Sequence, residues 1–269
     1  MSAIQREEGG GKPLISSNWE EFPWWLVIII GFLVLMGLLI FVNEDYRDAF
    51  VFIIPGIRVT LYTTLVAFGF ALILGLLAGL GRISHNVVIR NLAITYVEFI
   101  RGVPTLVLIF TVAFVIVPIW VDALDNFIEI DNKFMSQNTR AIIALAIIYG
   151  AFLAEVFRAG IESIPKGQME AARSVGMTYG QAMRHIILPQ AVRNISPALG
   201  NDFIAMLKDS SLVSVLAVRD ITQTARLYAG STFRFRETYL VLTFLYLTMT
   251  LSLSLLLRWY ERRLKKDGK

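Results

Sequence analysis

There is no cysteine among the 269 residues, which excludes a disulfide framework, a thiolate metal site and a cysteine nucleophile, and leaves the redox compartment open. Histidine is nearly as scarce: His85 and His185 are the only two, too few for an imidazole-based metal centre, so no metal site is expected. No G-x-x-x-x-G-K-[ST] run occurs, so no P-loop is available to cradle nucleotide phosphates. Charge is sparse at 17% of residues, against about a quarter in a soluble domain. The net charge of +4 gathers beside apolar runs and at the C-terminal tail, as inner-leaflet anchors do, so nucleic acid is not an expected partner. No domain linker, heptad array or low-complexity tract interrupts the chain.

What the sequence has in excess is apolar surface, with 56% hydrophobic residues and a mean hydropathy of +0.63. That excess must face lipid. A bilayer core about 30 Å thick needs about 20 mostly apolar helical residues, because only helices and closed barrels satisfy their own backbone there. The expected fold is therefore all-α and polytopic, with six spans: 24–42, 59–80, 91–118, 141–158, 195–218 and 238–257. The first is too long for a signal-peptide core, and NEDYRDAF after it lacks a cleavage pattern. Segments 1–23, 81–90, 158–194 and 258–269 hold 15 Lys/Arg, against 8 in 43–58, 119–140 and 219–237, which puts the first set and both termini in the cytoplasm. Against that trend, 219–237 carries Arg219, Arg226, Arg234 and Arg236, so it either faces an acidic partner or marks a misplaced boundary.

Between the fourth and fifth expected spans, IPKGQMEAARSVGMTYGQAMRHIILPQAVR is too polar to cross a membrane. Pro165 suits a first helical position, Glu170 to Ser174 propagate a turn, and Gly176 fits the left-handed residue that ends it. Thr178 with Gln181 makes a capping box that opens a second short helix, expected to stop at Pro189. Such a rigid hairpin can be gripped and pushed by a soluble motor.

Glu170-Ala171-Ala172, three residues, Gly176, nine residues, then Ile186-x-Leu188-Pro189 resembles the EAA loop of binding-protein-dependent ABC importer permeases at every fixed position. The resemblance extends over roughly 56–257 through PGIRVTLYTTL (55–65), YVEFIRGVPTLVLIF (96–110), AEVFRAGIESIPKGQ (154–168) and LGNDFIAMLKDSSLVSV (199–215). These runs look like the polar amino-acid branch of the type I importers. Val103, Thr105 and Leu108 depart from the expected threonine, leucine and glutamine. The resemblance implies a translocation subunit that docks separate ATPase chains through this loop. Those chains, not this one, would bind ATP and Mg. It also implies an extracytoplasmic solute-binding protein, a second permease subunit, and a cell inner membrane location. By this reading 1–23 is a polar cytoplasmic tail, 24–54 an accessory helix and outer loop, 55–258 the importer domain with its loop at 160–190, and 259–269 a basic tail.

Physics points to the same helices. An ionisable residue at the bilayer centre costs about 2.5–3.5 kcal/mol on insertion scales, while each large aliphatic returns only about 0.3–0.6. The fifth span holds Asp202, Lys208 and Asp209, so it must face protein or a wet cavity. Asn201, Ala205 and Lys208 form one helical column and Asp202, Ala205 and Asp209 its neighbour, a stripe suited to a zwitterion, with Ser211 just beyond. The alternative is internal pairing of Lys208 with Asp209 or Asp202, or snorkelling. In the second span Thr60, Thr64, Ala67, Ala71, Gly75 and Ala78 share a small, weakly polar face. Thr64 could bond solute there, or the face could simply let helices pack closely. Glu98 with Arg101 and Glu155 with Arg158 are i,i+3 pairs that line the pathway or neutralise each other. Pro104 should bend the third span.

An ion-driven transporter or channel would also explain six spans and buried charge, but it predicts internal repeats, and none is evident. An intramembrane enzyme needs converging catalytic groups. Both histidines fall in cytoplasmic segments, no serine has a base nearby, and Glu98 with Asp202 is the only candidate carboxylate pair.

Overall fold

A computed structural model describes residues 24–125 and 135–266. The polar tail expected at 1–23 and the end of the basic tail lie outside the described residues. All regular structure described is helical: α1 (Trp24–Val42), α2 (Glu44–Ile53), α3 (Gly56–Arg82), α4 (Val87–Gly102), α5 (Thr105–Thr111), α6 (Val117–Asp125), α7 (Gln137–Glu162), α8 (Lys166–Ser174), α9 (Tyr179–Ala182), α10 (Leu188–Asp209), α11 (Ile221–Thr232) and α12 (Phe235–Lys266).

Among the described residues, five helical stretches rather than six are long and apolar enough to cross a membrane: Trp24–Val42, Glu44–Arg82, Thr105–Leu124, Gln137–Glu162 and Phe235–Tyr260. The expected third span, 91–118, is not one helix. Val103 is extended at φ −114° and ψ 138° before Pro104, as the residue preceding proline prefers, and the apolar stretch restarts at Thr105. The expected bend is a complete break. The expected fifth span, 195–218, is helical through α10 and a 3₁₀ turn at Ser210–Leu216. Its charges keep it off the apolar set, and it packs on α7, α12 and α3 instead of standing alone in lipid.

Three prolines sit inside continuous helix: Pro197 lies within α10, and Pro118 and Pro189 are each preceded by a π-turn. Val112–Ile116 precedes Pro118 and joins α5 to α6; Met183–Ile187 precedes Pro189 and joins α9 to α10. A proline removes one backbone donor and its ring pushes against the carbonyl four residues back. A wider turn relieves the clash without ending the helix. The hairpin's second helix therefore does not stop at Pro189, as expected, but runs on to Asp209.

α7 lies at the centre of the bundle. Ala141, Ala144, Leu145, Ile148, Ala151, Leu153 and Ala154 are fully buried, chiefly against α3. The approach is possible because α3 gives up side chains at the crossing. A Cβ on Gly75 would stand 2.6 Å from the Leu153 Cβ and 3.2 Å from the Gly150 carbonyl, and one on Gly79 would stand 2.9 Å from the Ala154 carbonyl. In lipid, where hydrophobicity does not drive helices together, close van der Waals contact of small residues does. The small face of α3 is thus a packing face. Thr64 is fully buried and its hydroxyl donates to the Thr60 carbonyl at 2.8 Å, so it presents nothing to a solute and the pathway reading of Thr64 is corrected. A second cluster joins Met36, Ile53, Ile221, Tyr228 and Val241, tying α1 and α2 to α11 and α12.

Gly75→Leu should cost about 1–3 kcal/mol, the usual price of overpacking, and lower the thermal midpoint of the detergent-purified protein. Gly69→Ala, on the same helix with nothing within 4 Å of its Cβ, should leave the midpoint unchanged.

Candidate functional site

The hairpin at 160–190 forms as the local signals require apart from two boundaries: the run through Pro189, and Pro165, which is the N-cap of α8 and not its first helical residue. α8 ends in a complete Schellman arrangement. The Met177 amide donates to the Ala172 carbonyl at 3.2 Å and the Gly176 amide to the Arg173 carbonyl at 3.0 Å, with Gly176 at φ +88°. That conformation costs a residue with a Cβ about 1–2 kcal/mol. The capping box is present in both directions: Gln181 N–H donates to Thr178 Oγ1 at 3.3 Å, and Thr178 N–H donates to Gln181 Oε1 at 2.9 Å.

Glu170 and Ala171 stand exposed on the hairpin, as do Gly176 and Pro189, whereas Ala172 is buried at 6% exposure. Ile186 and Leu188 pack with Ile161, Ile164, Ile187 and Ala191 in a small apolar cluster. They seat the hairpin on α7 and α10. The tip that carries Glu170, Ala171 and Gly176 is left free.

From Thr178 the same helical rod passes through the π-turn into α10, which carries the polar columns. Asn201 and Lys208 are exposed on the single chain, and Asp202, Asp209 and Ser211 are half-buried. Lys208 pairs with neither aspartate. Asp209 instead accepts from the Tyr149 hydroxyl on α7 at 2.9 Å, and the enclosed Asp202 Oδ2 has no hydrogen-bond partner among the described residues. The internal ion pair weighed from the sequence is absent, and the Asn201–Lys208 column is uncovered by the chain itself.

The remaining candidates converge where α3, α4 and α7 meet near the hairpin. Arg82, with only 13% of its side chain exposed, reaches Glu155 at 2.9 Å and Glu98 at 3.5 Å. Arg158 bridges Glu155 and Glu162. Glu98 is therefore paired with Arg82 and not, as its spacing suggested, with Arg101. Arg101 acts on Glu155 electrostatically across the cluster. Sequence reasoning found Glu155 with Arg158 because they are one turn apart. It missed Arg82 and Tyr149, whose partners lie on other helices.

At the opposite end, Thr60 of α3 and Asp220 share the cap of α11. Ile221 N–H donates to Thr60 Oγ1 at 3.2 Å and Gln223 N–H to Asp220 Oδ1 at 2.8 Å. Burial at 1% exposure pushes the Asp220 carboxyl up to about 6, against the opposing pull of its backbone donors. Nearby, Arg234 meets Asp45 at 2.9 Å and Asp48 at 3.8 Å, and Arg236 meets Glu237 at 2.9 Å. Two of the four arginines of 219–237 thus find acidic partners within the chain.

An all-helical membrane bundle with paired intramembrane charges, an open polar column and a rigid polar hairpin has the build of a transport subunit. Residues 71–266 match the family described as binding-protein-dependent transport system inner membrane component. Among curated relatives, the probable amino-acid permease protein YxeN of Bacillus subtilis is 39% identical over 223 residues, covering 83% of this chain and 96% of that one. The glutamine transport system permease protein GlnP of Escherichia coli K12 is 33% identical, covering 79% and 93%. A crystal structure of an amino acid ABC transporter with histidines superposes with a TM-score of 0.68 at 40% identity, covering 81% of this chain and 95% of that one. The chain belongs to the family of binding-protein-dependent transport system inner membrane components and is a multi-pass membrane protein.

The Asp220 carboxyl titrates higher in the fold than in the unfolded chain, so its ionisation opposes folding. That penalty is absent at low pH and grows as pH rises from about 4 through about 6. The detergent-purified protein should therefore have its α11 joint firmest below about pH 4 and loosened by at most about 3 kcal/mol at pH 7.5. Asp220→Asn keeps a good N-cap and should flatten this part of the pH dependence, read as hydrogen exchange of the first-turn amides of α11.

Proposed function

We propose that this chain is the membrane-spanning permease subunit of an ATP-driven importer of amino acids, polar or charged ones in particular, working by alternating access. The observation that carries the reading is one mechanical connection: the second helix of the hairpin and the polar column of α10 belong to a single helical rod, Tyr179–Asp209, which the turn at 175–178 joins to the tip on α8. A push on the tip reaches Asn201, Asp202 and Lys208 through that turn and along the rod, past Pro197 within α10. In this reading Glu170 and Ala171 meet a separate ATPase chain, Ala172 and Gly176 set the shape of the tip, and Ile186, Leu188 and Pro189 seat it.

The chain carries no P-loop, so ATP and Mg belong to the partner and this subunit is not an enzyme. The open column is half of a pathway that a second permease subunit, identical or paralogous, completes. Ser211, Asp209, Glu98, Arg101 and Glu155 contribute polar groups along it. Solute arrives from a binding protein on the outer face. The hairpin and both termini face the cytoplasm, in the sense of the basic-residue bias, and the membrane is the cell inner membrane. The names of the relatives, among them permeases for glutamine and L-cystine, support amino acids as the cargo.

Gly176→Trp tests the coupling. Strain at the left-handed position, plus bulk at the exposed tip, should leave membrane insertion intact while ATP-driven uptake in proteoliposomes falls about tenfold or more, a loss that takes only about 1.4 kcal/mol. Unaltered uptake would rule out the hairpin as the coupling element.

A further inference from the structure

Between the inner side of the hairpin and the turn joining α3 to α4 lies a groove of about 730 Å³, within the range of small-molecule sites. Its wall is basic: Arg82, Arg90, Lys166 and His85 line it, with Glu162 as the single carboxylate. Glu162 is already held by Arg158, and neither Arg90 nor Lys166 makes an ion pair among the described residues. Lys166 is also the first residue of α8, whose N-cap, Pro165, offers no side-chain acceptor. The Gln168 amide already donates to the Pro165 carbonyl at 2.9 Å, so the amides of Lys166 and Gly167 are what the α8 N-terminus adds as a positive end beside this wall. The floor is apolar, formed by Ile83, Ile161, Ile164 and Ile187, at the level where α3 and α7 end.

Cations above an apolar floor at the end of membrane spans suit an amphiphile that carries a phosphate. We propose that this groove binds an anionic phospholipid, its phosphate held by Arg90, Lys166 and the α8 N-terminus and the start of its chains lying on the isoleucine floor. The inference rests on the cytoplasmic placement of the hairpin proposed above. It requires no surface that the ATPase would use, because Glu170, Ala171 and Gly176 are absent from the groove lining. A lipid seated there would brace the hairpin from behind, between the fixed α3–α7 pair and the moving tip.

The test is native mass spectrometry of the assembled importer released from phosphatidylcholine nanodiscs with and without phosphatidylglycerol. The wild-type assembly should retain phosphatidylglycerol and not phosphatidylcholine. Each cation near an anionic lipid surface is worth about fivefold, so Arg90→Gln with Lys166→Gln should weaken retention about thirtyfold. The charge-preserving Arg90→Lys with Lys166→Arg should restore most of it. Both positions are exposed, so neither pair of substitutions disturbs the core. Equal retention by the neutralised variant would overturn the proposal. So would displacement of the lipid by inorganic phosphate alone, which would mark a free-anion site, or lipid binding that occurs only in permease stripped of its ATPase, which would mark a protein interface. Because the same spectra report whether the ATPase is attached, lipid-free wild-type assemblies that keep the ATPase refute the lipid site alone. Loss of the ATPase refutes the coupling reading.

Discussion

The structure depends on the crossing of α3 and α7. In lipid neither helix gains by hiding apolar surface from water, so their association must come from contact close enough for dispersion to matter. Gly75 and Gly79 remove the Cβ atoms that would hold the backbones apart, and Leu153, Ala154 and Phe157 fill the space. Everything at the two ends hangs on this pair. Arg82 reaches Glu155 because α3 and α7 end side by side, and Thr60 caps α11 because α3 begins beside it.

A rigid pair in the middle needs movable parts around it, and the prolines divide the chain accordingly. Pro104 ends a helix, because the residue before it is forced to extend and no turn compensates. Pro118 and Pro189 do not, because a π-turn absorbs the lost donor, and α10 also runs on through Pro197. The consequence is mechanical. α4 is separated from α5 by a joint, whereas the hairpin is welded to α10. A force on the hairpin is transmitted along one helix, while α4 is held on α7 by buried Val97 and Ile100 and by the Tyr96 hydroxyl on the Ile147 carbonyl, and on α3 by its ion pair to Arg82.

What was legible in the sequence was local. The αL glycine, the capping box and the spacing from Glu170 to Pro189 involve residues a few positions apart, and the hairpin formed as they required. Apolar runs were legible too, since lipid imposes length and composition on each span separately. Apart from the N-cap at Pro165 and the break at Pro104, the errors lay beyond what spacing along one helix can show. Pro189 read as a stop because the relief of its clash is a property of the whole turn. Glu98 read as Arg101's partner because spacing shows neighbours on one helix and cannot show Arg82 arriving from another. Thr64 read as a pathway residue because small polar faces look alike whether they line a channel or pack against α7.

The same distinction explains where charge sits. Arg82 and Arg158 are paired with Glu98, Glu155 and Glu162, as an ion inside a membrane protein must be to offset desolvation. Asp209 has a tyrosine hydroxyl and not a cation, and Lys208 has no ion pair among the described residues. In a bilayer an unpaired lysine on an exposed helix face is tolerated only beside water, another polar surface or the interface. The charges of the Arg82–Glu155–Arg158 cluster are therefore paired within one chain. Those on α10 are incomplete within one chain, and their completion is what a facing subunit and a passing zwitterion would supply.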